Sequence, residues 1–253
     1  MQPLAERLRP KTLDEYIGQK HLVGPGAILR KMIDAGRISS FILWGPPGVG
    51  KTTLAQIIAN KLETPFYTLS AVTSGVKDVR EVIDRAKSNR FFSQASPILF
   101  IDEINCVSET LAPTMLQFLQ CKTFGNHEIP KGWVIVAAGN PPEYNKSVRD
   151  FDVVTLDRVK KITVEPDYRV WKEYAFKENI HPAILSYLEL RNNCFYQMET
   201  TIDGKQFATP RGWEDLSRIM EVYEKLDKNI TADVVGQYIQ HERIAKEFAE
   251  YYE

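Results

Sequence analysis

Short apolar runs, separated by segments with helical periodicity, organise the first two thirds of this 253-residue chain. The runs are nearly continuous in apolar character rather than alternating, which is typical of parallel strands buried on both faces. Three such runs are Ser40–Trp44, Pro97–Ile101 and Val134–Ala138, and further strands are predicted at Pro65–Ser70 and Lys160–Val164. Apolar spacings of three and four residues predict helices over Thr53–Leu62 and from the loop after Ser70 to about Lys87. The alternation predicts an α/β fold with a parallel sheet between helices.

The pattern changes at Glu165-Pro166-Asp167, where proline ends the last strand and predicts a hinge. Beyond it the apolar spacing is helical over Val170–Glu178, His181–Leu190, Pro210–Leu226 and Ala232–Tyr252. Within Phe195–Phe207, the pair Asp203-Gly204 predicts a small hairpin. We therefore predict an αβα domain over residues 1–165 and a small helical lid domain over residues 166–253.

The loop after the first predicted strand has the sequence Gly45-Pro46-Pro47-Gly48-Val49-Gly50-Lys51-Thr52. This fits the P-loop pattern G-x-x-x-x-G-K-[ST], in which glycines let successive backbone N–H groups point at a phosphate. Lysine adds charge for the β- and γ-phosphates, and the threonine hydroxyl can ligate Mg²⁺. The predicted nucleotide contacts in this segment are Pro47, Gly48, Val49, Gly50, Lys51, Thr52 and Thr53. The alternative is a glycine- and proline-rich turn without a ligand, but the strand–loop–helix setting favours a site for ATP and Mg²⁺.

Two carboxylates, Asp102 and Glu103, follow the apolar strand Pro97–Ile101. They emerge at the carboxyl end of that strand, where open α/β sheets bind ligands. Asp102 can orient Mg²⁺ together with Thr52, and Glu103 can polarise the water that attacks the γ-phosphate. An acidic pair at a strand end can also be a solvated cap, but its place downstream of a P-loop favours the catalytic interpretation.

Residues ahead of the P-loop resemble a second motif. Arg9-Pro10 followed by Tyr16-Ile17-Gly18-Gln19 is similar to the N-terminal box of AAA+ ATPases. This resemblance implies an αβα P-loop domain followed by a helical lid, and it implies that Tyr16 and Ile17 line the adenine pocket. Simple packing of this segment against the sheet is an alternative that is compatible with the same role.

Different parts of the chain resemble different AAA+ branches. Residues 3–104 resemble the RarA/MgsA branch of replication-associated recombination ATPases, most specifically in Ser70–Arg80. Residues 105–253 resemble MoxR-type AAA+ ATPases, most strongly in Gly132–Asn145. We therefore expect either a fusion of two AAA+ relatives, natural or engineered, or a divergent single family.

The AAA+ resemblance also implies roles for residues that the P-loop does not include. Asn140, just past a buried strand, matches sensor 1, although Asn-Pro is also an ordinary turn. Arg158 matches the arginine finger that reaches a neighbouring subunit, with Arg149 as the second candidate. Arg211 begins the helix after Thr209-Pro210 and matches sensor 2. An ordinary surface arginine is the alternative for each of these arginines.

Composition leaves the choice of partners open. The net charge of −1 gives no general attraction to nucleic acid, and no apolar run is long enough to span a bilayer. Three scattered cysteines and the absence of a signal-peptide core fit a cytoplasmic protein. We expect an ATPase that acts as a homo-oligomer, with a nucleotide-binding module that is mainly monomeric and hydrolyses little as the alternative. DNA recombination and a MoxR-like chaperone role both remain open.

Overall fold

The computed structural model describes residues 10–16, 19–73, 76–89, 97–108, 110–144, 151, 157, 159–202 and 204–253. The chain divides into two compact units, Met1–Glu165 and Pro166–Glu253. In the described residues no helix has the length and apolar character needed to cross a membrane.

The first unit alternates strands and helices. Its described helices are α1 (Lys20–Val23), α2 (Ile28–Asp34), α3 (Lys51–Lys61), α4 (Val76–Asn89) and α5 (Ala112–Cys121). Its described strands are β1 (Phe41–Trp44), β2 (Phe66–Ser70), β3 (Ile98–Asp102), β4 (Thr123–Phe124), β5 (His127–Glu128), β6 (Val134–Gly139) and β7 (Lys160–Thr163).

Five of these strands form one parallel sheet in the order β2-β3-β6-β1-β7. The three central strands β3, β6 and β1 are buried almost throughout, as their continuous apolar sequences predict. Each face of the sheet packs into its own apolar cluster, one around Ile42 and Ile101 and the other around Leu43 and Phe100. The predicted α/β fold with a parallel sheet is therefore confirmed.

The region between β3 and β6 contains structure that the apolar pattern did not predict. A 3₁₀ turn at Ile104–Cys106 follows β3, and the two-residue strands β4 and β5 pair antiparallel after α5. Strands of two residues are too short to display an alternating pattern, so their pairing could not be found from the sequence.

The second unit is helical apart from one hairpin. Its helices are α6 (Tyr168–Lys177), α7 (Pro182–Leu190), α8 (Pro210–Lys225), α9 (Ala232–Gly236) and α10 (Glu242–Tyr252), and its strands are β8 (Gln197–Thr201) and β9 (Gly204–Ala208). The hairpin lies at the predicted position, with Thr201 opposite Gly204. Its core is built around aromatic rings, including Tyr187, Trp213 and Phe248, whose centroids lie 5.2–5.8 Å apart.

The single helix predicted over Ala232–Tyr252 is wrong, because the structure divides it into α9 and α10. The intervening backbone makes contacts that a continuous helix would not allow. The Gln240 carbonyl accepts a hydrogen bond of 2.8 Å from the Phe207 N–H, and the Tyr238 carbonyl packs against Gly212. A Cβ at Gly212 would lie 2.6 Å from that carbonyl oxygen, so tertiary contacts decide where the helix breaks.

Candidate functional site

The loop between β1 and α3 has the backbone conformation that its glycines predict. Gly48 and Gly50 adopt φ values of 81° and 85°, in the left-handed region that favours glycine. Gly50 is the N-cap of α3, and no side chain caps this helix or places an acidic group in its first turn. The first N–H groups of α3 therefore point outward without a side-chain partner, at the positive end of the helix dipole. Both features favour a bound anion at this position.

Lys51 is drawn into this loop although it carries a charge. The residue is only 8% exposed to solvent. The ammonium group donates hydrogen bonds to the carbonyl oxygens of Gly45 and Pro46, both at 2.7 Å, and to Oδ1 of Asn140 at 2.8 Å. Because these acceptors are uncharged, the ammonium group can exchange them for phosphate oxygens, which are stronger partners.

Thr52 and Asp102 bring a hydroxyl and a carboxylate together beside Lys51. The Thr52 Oγ1 to Asp102 Oδ2 distance is 3.5 Å, and the other Asp102 oxygen accepts from the Glu103 N–H at 3.0 Å. Oxygen donors of this kind suit Mg²⁺, which is held by one or two protein groups together with phosphates and waters. The residues present therefore fit a magnesium nucleotide.

Glu103 occupies an unusual backbone position at the end of β3. Its φ of 53° lies in the left-handed region, which is uncommon for a residue other than glycine. Partial burial, together with the negative charges of Glu103 and Asp102, raises the pKa of the neighbouring Cys106 thiol. Cys106 therefore lies within the electrostatic influence of both carboxylates.

Asn140 lies directly after β6 and reaches Lys51, so the sensor 1 candidate meets the P-loop. Its backbone is held by Asn105, whose carboxamide accepts from the Asn140 N–H at 3.2 Å and donates to the Asn140 carbonyl at 2.6 Å. Asn105 is 2% exposed. The sequence analysis missed Asn105, although a carboxamide inside the apolar segment Ile104–Val107 was a signal for a buried polar contact.

The N-terminal segment contacts the P-loop through Tyr16. Tyr16 is buried, its hydroxyl lies 3.5 Å from the Gly50 carbonyl, and burial raises its pKa. Gln19, another buried carboxamide, holds both the N–H and the carbonyl of Glu165. The role of Tyr16 at an adenine base stays a prediction. Ile17 lies outside the described residues, so its predicted role does too.

The remaining predicted contacts fall in different places. Thr53 is half-buried in the first turn of α3, while Pro47 is exposed and Val49 is partly buried in the loop. Arg158 and Arg149 lie outside the described residues. Arg211 belongs to the second unit, where it is exposed in the first turn of α8, after the N-cap Thr209. Its role as sensor 2 stays a prediction.

Comparison with known proteins finds similarity to AAA proteins in the first unit. Residues 41–156, just under half of the chain, match the family described as ATPase family associated with various cellular activities (AAA). Replication-associated recombination protein A of Haemophilus influenzae is 49% identical over 118 residues, or 47% of this chain and 26% of that protein. The Escherichia coli K12 protein of the same name is 47% identical over 119 residues, again 47% of this chain and 26% of that protein.

These relatives match the N-terminal half of the chain, and the match spans about a quarter of their length. They support the predicted resemblance to replication-associated recombination proteins. They give no support to a MoxR-type relationship for residues 105–253 or to a fusion of two relatives.

Solved structures agree on the fold. The Thermotoga maritima RuvB Holliday junction branch migration motor superposes with a TM-score of 0.55 at 22% identity, covering 92% of this chain and 72% of that one. A point mutant of the same RuvB gives a TM-score of 0.59 at 22% identity, over 92% and 73%. The chain therefore has the P-loop fold of AAA proteins in its first part, followed by a helical region.

Proposed function

We propose that this chain binds ATP with Mg²⁺ and hydrolyses the bond between its β- and γ-phosphates. The observation that carries the proposal is the convergence of Lys51, Thr52, Asp102 and Asn140 at one edge of the sheet. Lys51 bonds to Asn140, and Thr52 lies against Asp102 at the start of an uncapped helix. A glycine-rich turn without a ligand would not require a buried ammonium group or a carboxylate beside the threonine hydroxyl.

The proposed binding mode assigns phosphate contacts to the P-loop and the start of α3. Backbone N–H groups after Gly48 surround the phosphates, and Lys51 contributes the point charge. Thr52 and Asp102 would hold Mg²⁺, which neutralises charge on the phosphate oxygens when it is bound. Tyr16 supports the loop by packing against Gly50.

In the proposed hydrolysis, water attacks the γ-phosphorus, the bond from that phosphorus to the β–γ bridging oxygen breaks, and ADP leaves. Glu103 orients this water by a hydrogen bond and takes its proton, and Asn140 holds the water with its carboxamide. The Asn140 carboxamide becomes available for this water when the Lys51 ammonium group exchanges its hydrogen bond to Asn140 for one to phosphate. Arg211 would report the γ-phosphate from the helical unit, so that hydrolysis changes the position of that unit.

Arg158, or Arg149, would complete the site of a neighbouring subunit. An arginine finger contributes about 10³- to 10⁵-fold in rate. A homo-oligomer is therefore expected to hydrolyse ATP with a specific activity that rises steeply with protein concentration. The competing proposal is a module that binds nucleotide as a monomer and hydrolyses little, and its rate per chain would not depend on concentration.

The names of the relatives favour a role on DNA. Two of them are called replication-associated recombination proteins, although this chain matches only about a quarter of their length. If this chain acts on DNA, its ATPase activity should rise when DNA is added at low salt and should lose this stimulation as salt increases. ATPase activity that DNA leaves unchanged at every salt concentration would count against a role on DNA.

The decisive experiment compares Glu103→Gln with the exposed control Glu128→Gln in the full chain. We expect Glu103→Gln to keep its ATP affinity and to lose at least about 100-fold in turnover, since general-base catalysis contributes about 10²- to 10⁴-fold. Glu128 lies in β5, so its variant should match wild type. Calorimetry gives the affinity and phosphate release gives the rate. Wild-type turnover in Glu103→Gln would refute the catalytic assignment.

A further inference from the structure

We propose that Asn105 is a positioning residue for this hydrolysis, because its side chain fixes the backbone from which Asn140 reaches the phosphate site. The inference rests on the ATPase activity proposed above. Asn105 does not need to touch the nucleotide for this role. It acts through Asn140, whose Oδ1 lies 2.8 Å from the Lys51 ammonium nitrogen.

The contact replaces strand pairing where the sheet ends. The backbone pairing of β3 with β6 extends to Ile101 opposite Ala137. Asn140 lies three residues beyond Ala137, and its N–H and carbonyl are both bonded by the carboxamide of Asn105, at 3.2 and 2.6 Å. A carboxamide has one donor and one acceptor in the same plane, as a peptide group has. The Asn105 side chain can therefore form the two hydrogen bonds with Asn140 that a neighbouring strand would form.

Close contacts also restrict the backbone of Gly139, the residue before Asn140. A Cβ at Gly139 would lie 2.7 Å from the Trp44 ring and 3.0 Å from Oδ1 of Asn105. The Gly139 carbonyl accepts from the Gly45 N–H at 3.3 Å. Two successive residues are therefore fixed, Gly139 by the start of the P-loop and Asn140 by Asn105.

One turn carries both Asn105 and the proposed general base Glu103. Asn105 lies two residues after Glu103, in a 3₁₀ turn closed by a hydrogen bond of 2.8 Å from the Cys106 N–H to the Glu103 carbonyl. A shift of this turn would therefore displace Glu103 and Asn140 together. We infer that Asn105 keeps the two water-binding side chains in register with each other.

The test replaces Asn105 with leucine, which has a similar size and no hydrogen-bonding groups, and with aspartate, which keeps the acceptor and loses the donor. We expect Asn105→Leu to lower turnover by about 10- to 100-fold with unchanged ATP affinity, because a small misplacement of a catalytic group costs up to about 100-fold. Asn105→Asp should lose less turnover than Asn105→Leu.

Ser40→Ala is the matched control. Ser40 Oγ accepts from the Ile135 N–H at 3.0 Å, so this variant also removes a side-chain partner from a β6 N–H, but at the other end of the strand. Its loss of thermal stability should resemble that of Asn105→Leu, whereas its turnover should stay at the wild-type level. Equal turnover in Asn105→Leu and Ser40→Ala would overturn the inference.

A double-mutant cycle separates positioning from general damage. If Asn105 acts through Asn140, adding Asn105→Leu to Asn140→Ala should cost little further turnover. Independent, multiplicative losses would mean that Asn105 acts in another way and would overturn the inference.

Amide hydrogen exchange tests the contact between Asn105 and Asn140 without using turnover. Asn105→Leu should release the Asn140 amide to faster exchange, while Ser40→Ala should release only the Ile135 amide. An Asn140 amide that stays protected in Asn105→Leu would overturn the inference even if turnover falls. A wild-type chain that binds ATP without turnover would refute the proposed hydrolysis, and the exchange result would still decide whether Asn105 holds Asn140.

Discussion

Replacing Gly45, the first residue of the P-loop, with alanine should destabilise the fold. The reason is a tertiary contact that the sequence motif does not reveal. Gly45 does not adopt a positive φ, so alanine is not excluded by its backbone conformation. The obstacle is space, because a Cβ on Gly45 would lie 2.0 Å from the carbonyl oxygen of Val164. That oxygen belongs to backbone that continues β7, and the Val164 N–H bonds to the Trp44 carbonyl at 2.7 Å.

The distances set the size of the effect. Ordinary contact begins at 3.4 Å, so the Val164 carbonyl would have to move from 2.0 Å to that distance while Val164 itself is fully buried. Overpacking of this kind typically costs about 1–3 kcal/mol. For a chain of this size, each kcal/mol shifts the midpoint of thermal unfolding by about 2–4 °C. We therefore expect Gly45→Ala to melt about 2–12 °C below wild type.

Thermal unfolding followed by circular dichroism measures this shift, and ATP binding by calorimetry shows whether the loop is also displaced. The control is Gly236→Ala at the end of α9, where nothing beyond the chain neighbours and the helix's own backbone lies within 4 Å of the added methyl group. The control should melt at or slightly above the wild-type temperature, since alanine is favoured over glycine in a helix by up to about 1 kcal/mol. A Gly45→Ala variant that melts and binds ATP like this control would refute the steric argument.

Two further predictions concern single side chains. Lys51→Ala should weaken ATP binding by about 10- to 100-fold, because it removes a charged hydrogen-bond donor worth about 1.5–3 kcal/mol. Lys61→Ala, at the exposed end of the same helix, should leave the affinity measured by calorimetry unchanged, and equal affinities would contradict the phosphate role of Lys51. Thr209→Ala should lower stability by about 1 kcal/mol, because the Thr209 hydroxyl caps α8 by accepting from the Gly212 N–H at 3.2 Å. Thr209→Asn keeps a capping oxygen and should restore the melting temperature, and two variants with the same melting temperature would show that the cap contributes nothing.

Local sequence features located the parts of the candidate site well. The strand, the loop and α3 could be predicted because the apolar run Phe41–Trp44 and the glycine pattern act over adjacent residues. Asp102 and Glu103 were found in the same way, from a strand followed by carboxylates. The helix start at Thr209-Pro210 was visible for the same reason, since capping involves residues three positions apart.

Contacts between distant residues were not visible in this way. Asn105 and Asn140 are 35 positions apart, and Gln19 meets Glu165 across 146 positions. A carboxamide in an apolar segment signals that some polar partner exists, but it does not say which backbone supplies it. The division between α9 and α10 was missed because Gln240 is held by Phe207, outside the segment itself.

The sequence by itself determined the five strands of the parallel sheet and the helix after the P-loop, and which residue types stand at their ends, because these depend on spacing between near neighbours. Only the tertiary structure decided the strand order β2-β3-β6-β1-β7 and therefore which ends meet. That order places β1 between β6 and β7, which brings Lys51 to Asn140 and Gly45 to Val164. The physical reason is that strand pairing and burial are set by surfaces that are far apart along the chain, and local propensity carries no information about them.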